Sequence, residues 1–253
     1  MMITPKLSDK LEITFQTVQK SRPYIGLTAS MMKKAGAELT LSPDKVVVEN
    51  KPYMNPDFEI ESDWTAVSYW YSLATISNCE IEIESIPYVS LQGDRKVSEI
   101  YSLLGVKSEW DDGRLKIIPG GPRSVKALIL DLQDNPDIAQ TLMVTCACIG
   151  IPFTFVGLSS LHIKETDRLK AMQNELRKFG IDLAIGSDWV SWIGNKINPD
   201  KGPIKTYCDH RMAMAFAPAA FIYPGMEIEN VQVVSKSYPR FWEELKSQGF
   251  RLE

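Results

Sequence analysis

The chain has 253 residues, 44% of them hydrophobic, enough for one large domain or two modest ones with buried cores. Its formal net charge of −4 argues against nucleic-acid binding as the main role, but leaves room for a local cluster of cations around a small anionic ligand. No apolar run approaches the roughly 18–20 residues that cross a bilayer, residues 1–20 lack the basic-then-apolar design of a signal peptide, and four cysteines without a CxxC pair argue for a reducing cytoplasm rather than a disulfide or zinc framework.

In chain order, the pattern predicts a strand over 11–18 and an amphipathic helix carrying Ile25, Thr28, Met32 and Ala35 on one face, closed by Gly36. Two short alternating segments follow, 38–41 and 45–49. Next come a helix apolar nearly all round (64–76, with Asp63 as its cap), a strand (80–86), and a helix with Val97, Ile100, Tyr101 and Leu104 on one face, ended by Gly105. The order then repeats. A buried helix spans 138–149 and a strand 152–157; Leu169, Met172, Leu176 and Phe179 line a helix ended by Gly180, and a hairpin joins 182–185 to 189–193 through Gly186-Ser187-Asp188. A buried helix over 211–222, a strand over 226–234 and a helix ended by Gly249 complete the chain.

The four helix-ending glycines stand 69, 75 and 69 residues apart, as left-handed caps of a repeated unit would. The unit is α+β: helix, strand, amphipathic helix, hairpin. The first copy lacks the buried helix and the last lacks the hairpin. That predicts a portion of something longer; a divergent terminal repeat acting as a cap is the alternative.

Cations gather where helix physics disfavours them. Lys164 and Arg168 sit four apart at the expected start of the third amphipathic helix, a like-charge spacing at the positive end of the dipole. His210 and Arg211 follow Asp209, a good N-cap; Lys236 lies ahead of the last helix and Arg22 ahead of the first. Free N–H groups at helix starts suit phosphate or carboxylate, so cations added there predict a site for a multiply anionic substrate. Solvated surface charge is the competing reading. Asp137 fits either an N-cap for 138–149 or a site acid. Glu165, between two cations, fits a proton donor whose pKa is lowered by its neighbours and raised by burial.

Ile163-Lys164-Glu165-Thr166-Asp167-Arg168-Leu169, with Ala171-Met172, Glu175-Leu176-Arg177-Lys178 and Gly180, resembles the long signature of the EPSP synthase (3-phosphoshikimate 1-carboxyvinyltransferase) family. Asp209-His210-Arg211-Met212-Ala213-Met214 is similar to the second signature; Pro136-Asp137, Ser235-Lys236-Ser237-Tyr238-Pro239 and Ser21-Arg22-Pro23-Tyr24 fall in matching order. The resemblance covers essentially the whole chain. It implies an enolpyruvyl transferase-type inside-out α/β repeat fold built of βαβαββ units, with 1–60 as the last, incomplete unit of a first domain. Residues 61–253 would be a C-terminal domain lacking its closing strand.

The resemblance also implies transfer of the enolpyruvyl group of phosphoenolpyruvate to the 5-hydroxyl of shikimate 3-phosphate, in the cytoplasm, without metal or cofactor. It assigns Asp137 to the 5-hydroxyl proton, Lys164 to shikimate 3-phosphate contact and proton shuttling, and Glu165 to the methylene proton, with His210 nearby. Arg168, Arg211 and Lys236 would hold phosphoenolpyruvate; Ser21 and Tyr24 would hold the shikimate phosphate, with Ser160 a weaker contact. Ser160 and His162 replace an Asn and an Arg common in the family, and Trp64 replaces a small residue. No Gly-Ser-Lys-Ser, Gly-Asn-Ala-Gly-Thr or Ser-Ser-Gln motif occurs; these belong to the N-terminal part of the family, which is expected to complete the site. This chain alone is therefore expected to turn over little. The alternatives are a non-catalytic truncated paralogue that binds phosphorylated ligands and an amino-sugar enolpyruvyl transferase.

Overall fold

The computed structural model describes residues 1–252. Its first stretch comprises β1 (Leu11–Thr14), α1 (Arg22–Lys34) and a hairpin of β2 (Leu39–Leu41) and β3 (Lys45–Val48), in a sheet of order β1-β3-β2. Residues 49–63 carry no regular structure. The next copy runs α2 (Trp64–Ser77), β4 (Ile81–Ile83), α3 (Val97–Leu103), β5 (Lys107–Asp111) and β6 (Arg114–Ile118), with sheet order β4-β6-β5.

The third copy is complete: β7 (Leu128–Asp131), α4 (Ala139–Ile149), β8 (Phe153–Val156), α5 (Arg168–Leu176), β9 (Ala184–Ile185) and β10 (Trp189–Trp192). Its sheet, β7-β8-β10-β9, pairs β7 with β8 in parallel and β10 with β8 antiparallel, bringing Phe153 opposite Trp192 and Phe155 opposite Val190. Period-two alternation decides the faces: Phe153, Phe155, Val190 and Trp192 are buried, while Thr154 and Ser191 bond to each other on the outer side. The last copy has α6 (His210–Phe216), continued by a 3-10 turn over Ala217–Phe221, and α7 (Phe241–Ser247).

The arrangement is inside-out. The sheets lie outside, and the apolar helices α2, α4 and α6 pack against one another at the centre of residues 64–245. A helix hydrophobic all round can only be buried, and Tyr69, Tyr71, Leu142, Met143, Val144, Met212 and Phe216 are each at most 2% exposed. Small and hydroxyl residues form the α2–α4 seam: Ser68 meets Thr141 at 3.2 Å and Thr145 meets Ser72 at 2.8 Å. Their hydroxyls also bond helix carbonyls, Ser68 to Thr65 and Thr145 to Thr141, so burial leaves them satisfied. Met32, Ala37, Val46 and Val48 form a separate small core in the first stretch.

The cap glycines have φ of 83° (Gly36), 86° (Gly105), 76° (Gly180) and 93° (Gly249), the left-handed region the repeat requires. Three expected strands differ, the one over 80–86 spanning only Ile81–Ile83. The first ends at Thr14 rather than residue 18. The segment 226–234 is not a strand: Ile228 makes only a single parallel bridge with Ile204, and after Asn230 (φ 49°) residues 231–236 coil into a 3-10 helix. In the three preceding copies the corresponding strand is laddered to the second strand of a hairpin. Among the described residues Ile204 alone pairs with the segment 226–234, through Glu227 O and Glu229 N–H.

Candidate active site

Two chain segments, Lys164–Arg168 and the start of α6, converge on Asp137. It lies in the short 3-10 turn Pro136–Ile138, directly before α4, and makes no capping hydrogen bond to that helix. Its Oδ1 accepts from Arg168 Nη1 at 2.8 Å and lies 3.3 Å from Lys164 Nζ; its Oδ2 accepts from Arg211 Nη2 at 3.3 Å. The capping reading of this residue is thereby replaced by an ionic one. Burial opposes ionisation, but Arg211, Lys164 and Arg168 outweigh it and hold the carboxyl below the ordinary aspartate range.

Arg168 is the hub. It opens α5, is 1% exposed, and donates from Nε to Asp209 Oδ2 at 2.7 Å, from Nη1 to Asp137 and from Nη2 to Glu165 Oε2 at 2.7 Å. Asp209, fully buried, serves twice: its Oδ1 also caps α6 by accepting from Arg211 N–H at 2.9 Å. The expectation that Lys164 and Arg168 share one face of a helix is corrected. Asp167 is the N-cap of α5, accepting from Lys170 N–H at 3.1 Å, so Lys164 to Thr166 precede the helix, with Lys164 extended. The two cations meet through the turn of the chain, not through helical spacing.

Glu165 receives Arg168 on one oxygen and the ammonium of Lys236, at the end of the 3-10 turn after Asn230, on the other. Burial raises its pKa, but the bond from Lys236 leads the opposing contributions and brings it down to about 2. The competition left open by sequence thus ends with the cations. His210, at the first position of α6, is buried with Nδ1 unpartnered, 3.7 Å from Asp209 Oδ1. Burial first, then Arg211, lowers its pKa, leaving a neutral imidazole at pH 7.

The remaining site candidates lie at the edges. Tyr24, on α1, is 43% exposed, and burial of part of its ring and the charges of Asp94 and Asp137 raise its phenol pKa. Ser21 takes a left-handed conformation (φ 53°) and is tied by its backbone to the loop before Asp137, donating N–H to Gln133 O at 3.0 Å. Ser160 Oγ is buried without a partner in the 3-10 turn Ser159–Ile163. Arg22 does not join: its guanidinium turns away to the carbonyls of Ser42 (2.9 Å) and Pro43 (3.1 Å). His162 instead bonds Asp167 (3.0 Å) and the carbonyl of Gly186 (3.2 Å), tying the cap of α5 to the β9–β10 turn.

Two acids escaped sequence reasoning. Asp209 was read only as a cap, though its place between an Arg-bearing helix and His-Arg was a clue. Asp94, 2% exposed, bonds Thr65 Oγ1 at 2.5 Å and has its pKa raised by burial; nothing in Gln92-Gly93-Asp94 signals this. Asp63 caps α2 as expected, through Thr65 N–H at 2.8 Å.

Four cations interleaved with three carboxylates make a concentrated, partly desolvated anion site in which Asp137 and Glu165 are held ionised. Such a site can bind phosphate and carboxylate groups and exchange protons with them. Among the described residues no helix is long and apolar enough to cross a membrane, and no group of three or more His, Cys, Asp or Glu is placed to hold a metal ion.

Comparison with known proteins gives one family. The model of the EPSP synthase (3-phosphoshikimate 1-carboxyvinyltransferase) family matches residues 1–245. The 3-phosphoshikimate 1-carboxyvinyltransferase of Bacteroides fragilis is 43% identical over 257 residues, covering 100% of this chain and 62% of that protein. That of Methanopyrus kandleri is 33% identical, covering 91% of this chain and 53% of its own length. EPSP synthase from Acinetobacter baumannii superposes with a TM-score of 0.70 at 20% identity, over 94% of this chain and 56% of that one. The enolpyruvyl transferase NikO from Streptomyces tendae gives 0.70 at 14% identity, over 98% and 57%. The chain therefore spans somewhat less than two thirds of the relatives it matches.

Proposed function

The chain belongs to the EPSP synthase family, and from that membership we propose that it forms one wall of a site transferring the enolpyruvyl group of phosphoenolpyruvate to the 5-hydroxyl of shikimate 3-phosphate. The observation that carries the reading is the meeting of Lys164, Arg168 and Arg211 on the single carboxylate of Asp137. In this reading the remaining walls come from the portion of the relatives that the chain does not span, and residues 1–60 and 61–253 act as separate domains flanking the site.

The chemistry divides by charge. Asp137, held ionised, accepts the proton of the attacking 5-hydroxyl as its oxygen bonds to C2 of phosphoenolpyruvate. The methylene carbon gains a proton in the same stage. Glu165, ionised at neutral pH, passes that proton from the ammonium of Lys236 or Lys164 and later takes one back from the methyl group. As that C–H pair becomes the new double bond, the C2–O bond to phosphate breaks, inorganic phosphate leaves with the bond pair, and the proton held by Asp137 passes to it. Arg211 and Lys236 neutralise the phosphoryl and carboxylate charges, Lys164 contacts the shikimate phosphate, and Ser21, Tyr24 and Ser160 orient it. Arg168 acts from below, since its donors are already engaged by three carboxylates; neutral His210 donates or accepts a hydrogen bond at the edge of the adduct.

Two measurements test this. Titration followed by 31P NMR is expected to show shikimate 3-phosphate binding to this chain and to show its loss in Lys164→Met. Phosphate release from both substrates is then measured after joining the chain to the unmatched portion of the Bacteroides fragilis relative. Binding without turnover in that joined protein would replace the enzyme by a phosphate-binding paralogue; no binding would remove both readings.

A further inference from the structure

The segment that delivers Asp209, His210 and Arg211 to the site is held in an unfavourable shape. Tyr207 (φ 53°) and Cys208 (φ 58°) are consecutive left-handed residues, neither of them glycine, and a backbone bond from Asp209 N–H to Thr206 O (2.8 Å) closes the turn. Two left-handed side-chain-bearing residues in a row persist only where their surroundings over-determine them.

The surroundings are one face of α5. Arg168 and Glu175 are seven residues apart, two helical turns, so they project in the same direction, and each is only 1% exposed. Arg168 grips Asp209, at the far end of the turn, at 2.7 Å. Glu175 grips its near end: Oε1 accepts from the Tyr207 hydroxyl at 2.7 Å, and Oε2 accepts from the backbone N–H of Lys205 at 2.9 Å and from Lys178 Nζ at 2.6 Å. Burial and the neighbouring carboxylate raise the Tyr207 pKa, keeping the phenol a donor. The Glu175 carboxylate has no role among the anion-binding groups, yet it is buried and fully engaged.

We propose that Glu175 and Tyr207 are positioning residues: together with Arg168 they make α5 a two-point clamp that fixes the left-handed turn and so aims Arg211 at Asp137 and sets His210 beside Asp209. Its functional meaning rests on the reading of the site given above, but the clamp itself is testable without catalysis.

The chain contains only two histidines, and they make a paired reporter. His210 follows the clamped turn; His162 sits outside it, against Asp167 and Gly186. The imidazole pKa values are read by NMR titration of the whole chain, with the thermal midpoint measured alongside. Tyr207→Phe removes the hydroxyl bond while keeping the ring. The turn relaxes, His210 becomes wetter and moves away from Arg211, and its pKa rises toward that of a solvated imidazole while His162 stays put. Lys178→Met removes another partner of Glu175 together with a bond to the Pro203 carbonyl, both outside residues 206–209, and is expected to lower the midpoint while leaving His210 unmoved. An unchanged His210 in Tyr207→Phe would overturn the clamp, as would equal movement of His210 in both variants or movement of both histidines together. Loss of phosphate binding in wild type would leave these results intact, so the two readings fail separately.

Discussion

At the scale of single residues, burial separates two kinds of cation at one site. Arg168 lies inside, its charge balanced by Asp137, Glu165 and Asp209; Lys236 stands 58% exposed, paired among the described residues with Glu165. Removing one partner of a buried ionic group strands the others, at about 3–5 kcal/mol, whereas losing an exposed pair changes stability by less than about 1 kcal/mol. Arg168→Met is therefore expected to lower urea-unfolding stability by about 3–5 kcal/mol, and Lys236→Met to leave it within about 1 kcal/mol while weakening phosphate binding. Equal losses in the two variants would contradict this division. Glu165 adds a pH dependence. Its folded pKa of about 2 lies below the unfolded 4.5, so its ion pairs stabilise fully above the unfolded value and fade as pH falls from there toward 2. Thermal midpoints across that window should fall less steeply in Glu165→Gln than in wild type. The cations of this site were legible in the sequence because each breaks a helix-dipole preference. Asp137 was ambiguous, since an acid before a helix also reads as a cap, and the inward turn of Arg168 was hidden, because burial depends on segments 31 and 41 residues away in sequence.

At the scale of elements, the caps carry the repeat. Gly105 ends α3 with φ 86°, and a Cβ there would lie 2.2 Å from the carbonyl oxygen of Gly121. Gly150 ends α4 with φ 72°, but a Cβ there would meet nothing within 4 Å. Both substitutions by alanine incur the left-handed backbone penalty of about 1–2 kcal/mol; only Gly105→Ala adds a backbone collision. Urea unfolding should rank Gly105→Ala clearly below Gly150→Ala, and similar losses would show that the Gly105–Gly121 contact yields freely. This pairing also explains why the fold was readable. Cap glycines and helix periodicity are local signals, repeated four times, so the α+β unit emerged from spacing alone. The failure at 226–234 was of the other kind: its alternation suits a strand, but a strand also needs a neighbour, and partner availability is not written in the segment itself.

At the scale of the whole molecule, the first 60 residues meet the rest along a narrow seam beside the anion site. Ser21 bonds Gln133, Lys20 bonds Ser159 and approaches Asp188 to 3.6 Å, and Tyr24 feels the charges of Asp94 and Asp137. The first stretch has its own small core and is otherwise joined to the large one through residues 49–63, so the seam, not shared hydrophobic packing, sets their relative position. Gly93 sits at its tightest point. A Cβ on Gly93 would lie 2.7 Å from Pro23 Cβ and 2.9 Å from Asn135 Nδ2, so alanine there must push α1 away from the turn that carries Asp94. Because the large core is untouched, Gly93→Ala should leave its unfolding midpoint near wild type while residues 49–63 become faster to cleave in limited proteolysis. On the proposed function, shikimate 3-phosphate should bind more weakly as Tyr24 and Ser21 withdraw, whereas inorganic phosphate, assigned there to the Lys164–Arg211–Lys236 group, should bind as before. Equal weakening of both ligands would mean that the seam supports the cation cluster itself, and that the first 60 residues do more than contribute an edge.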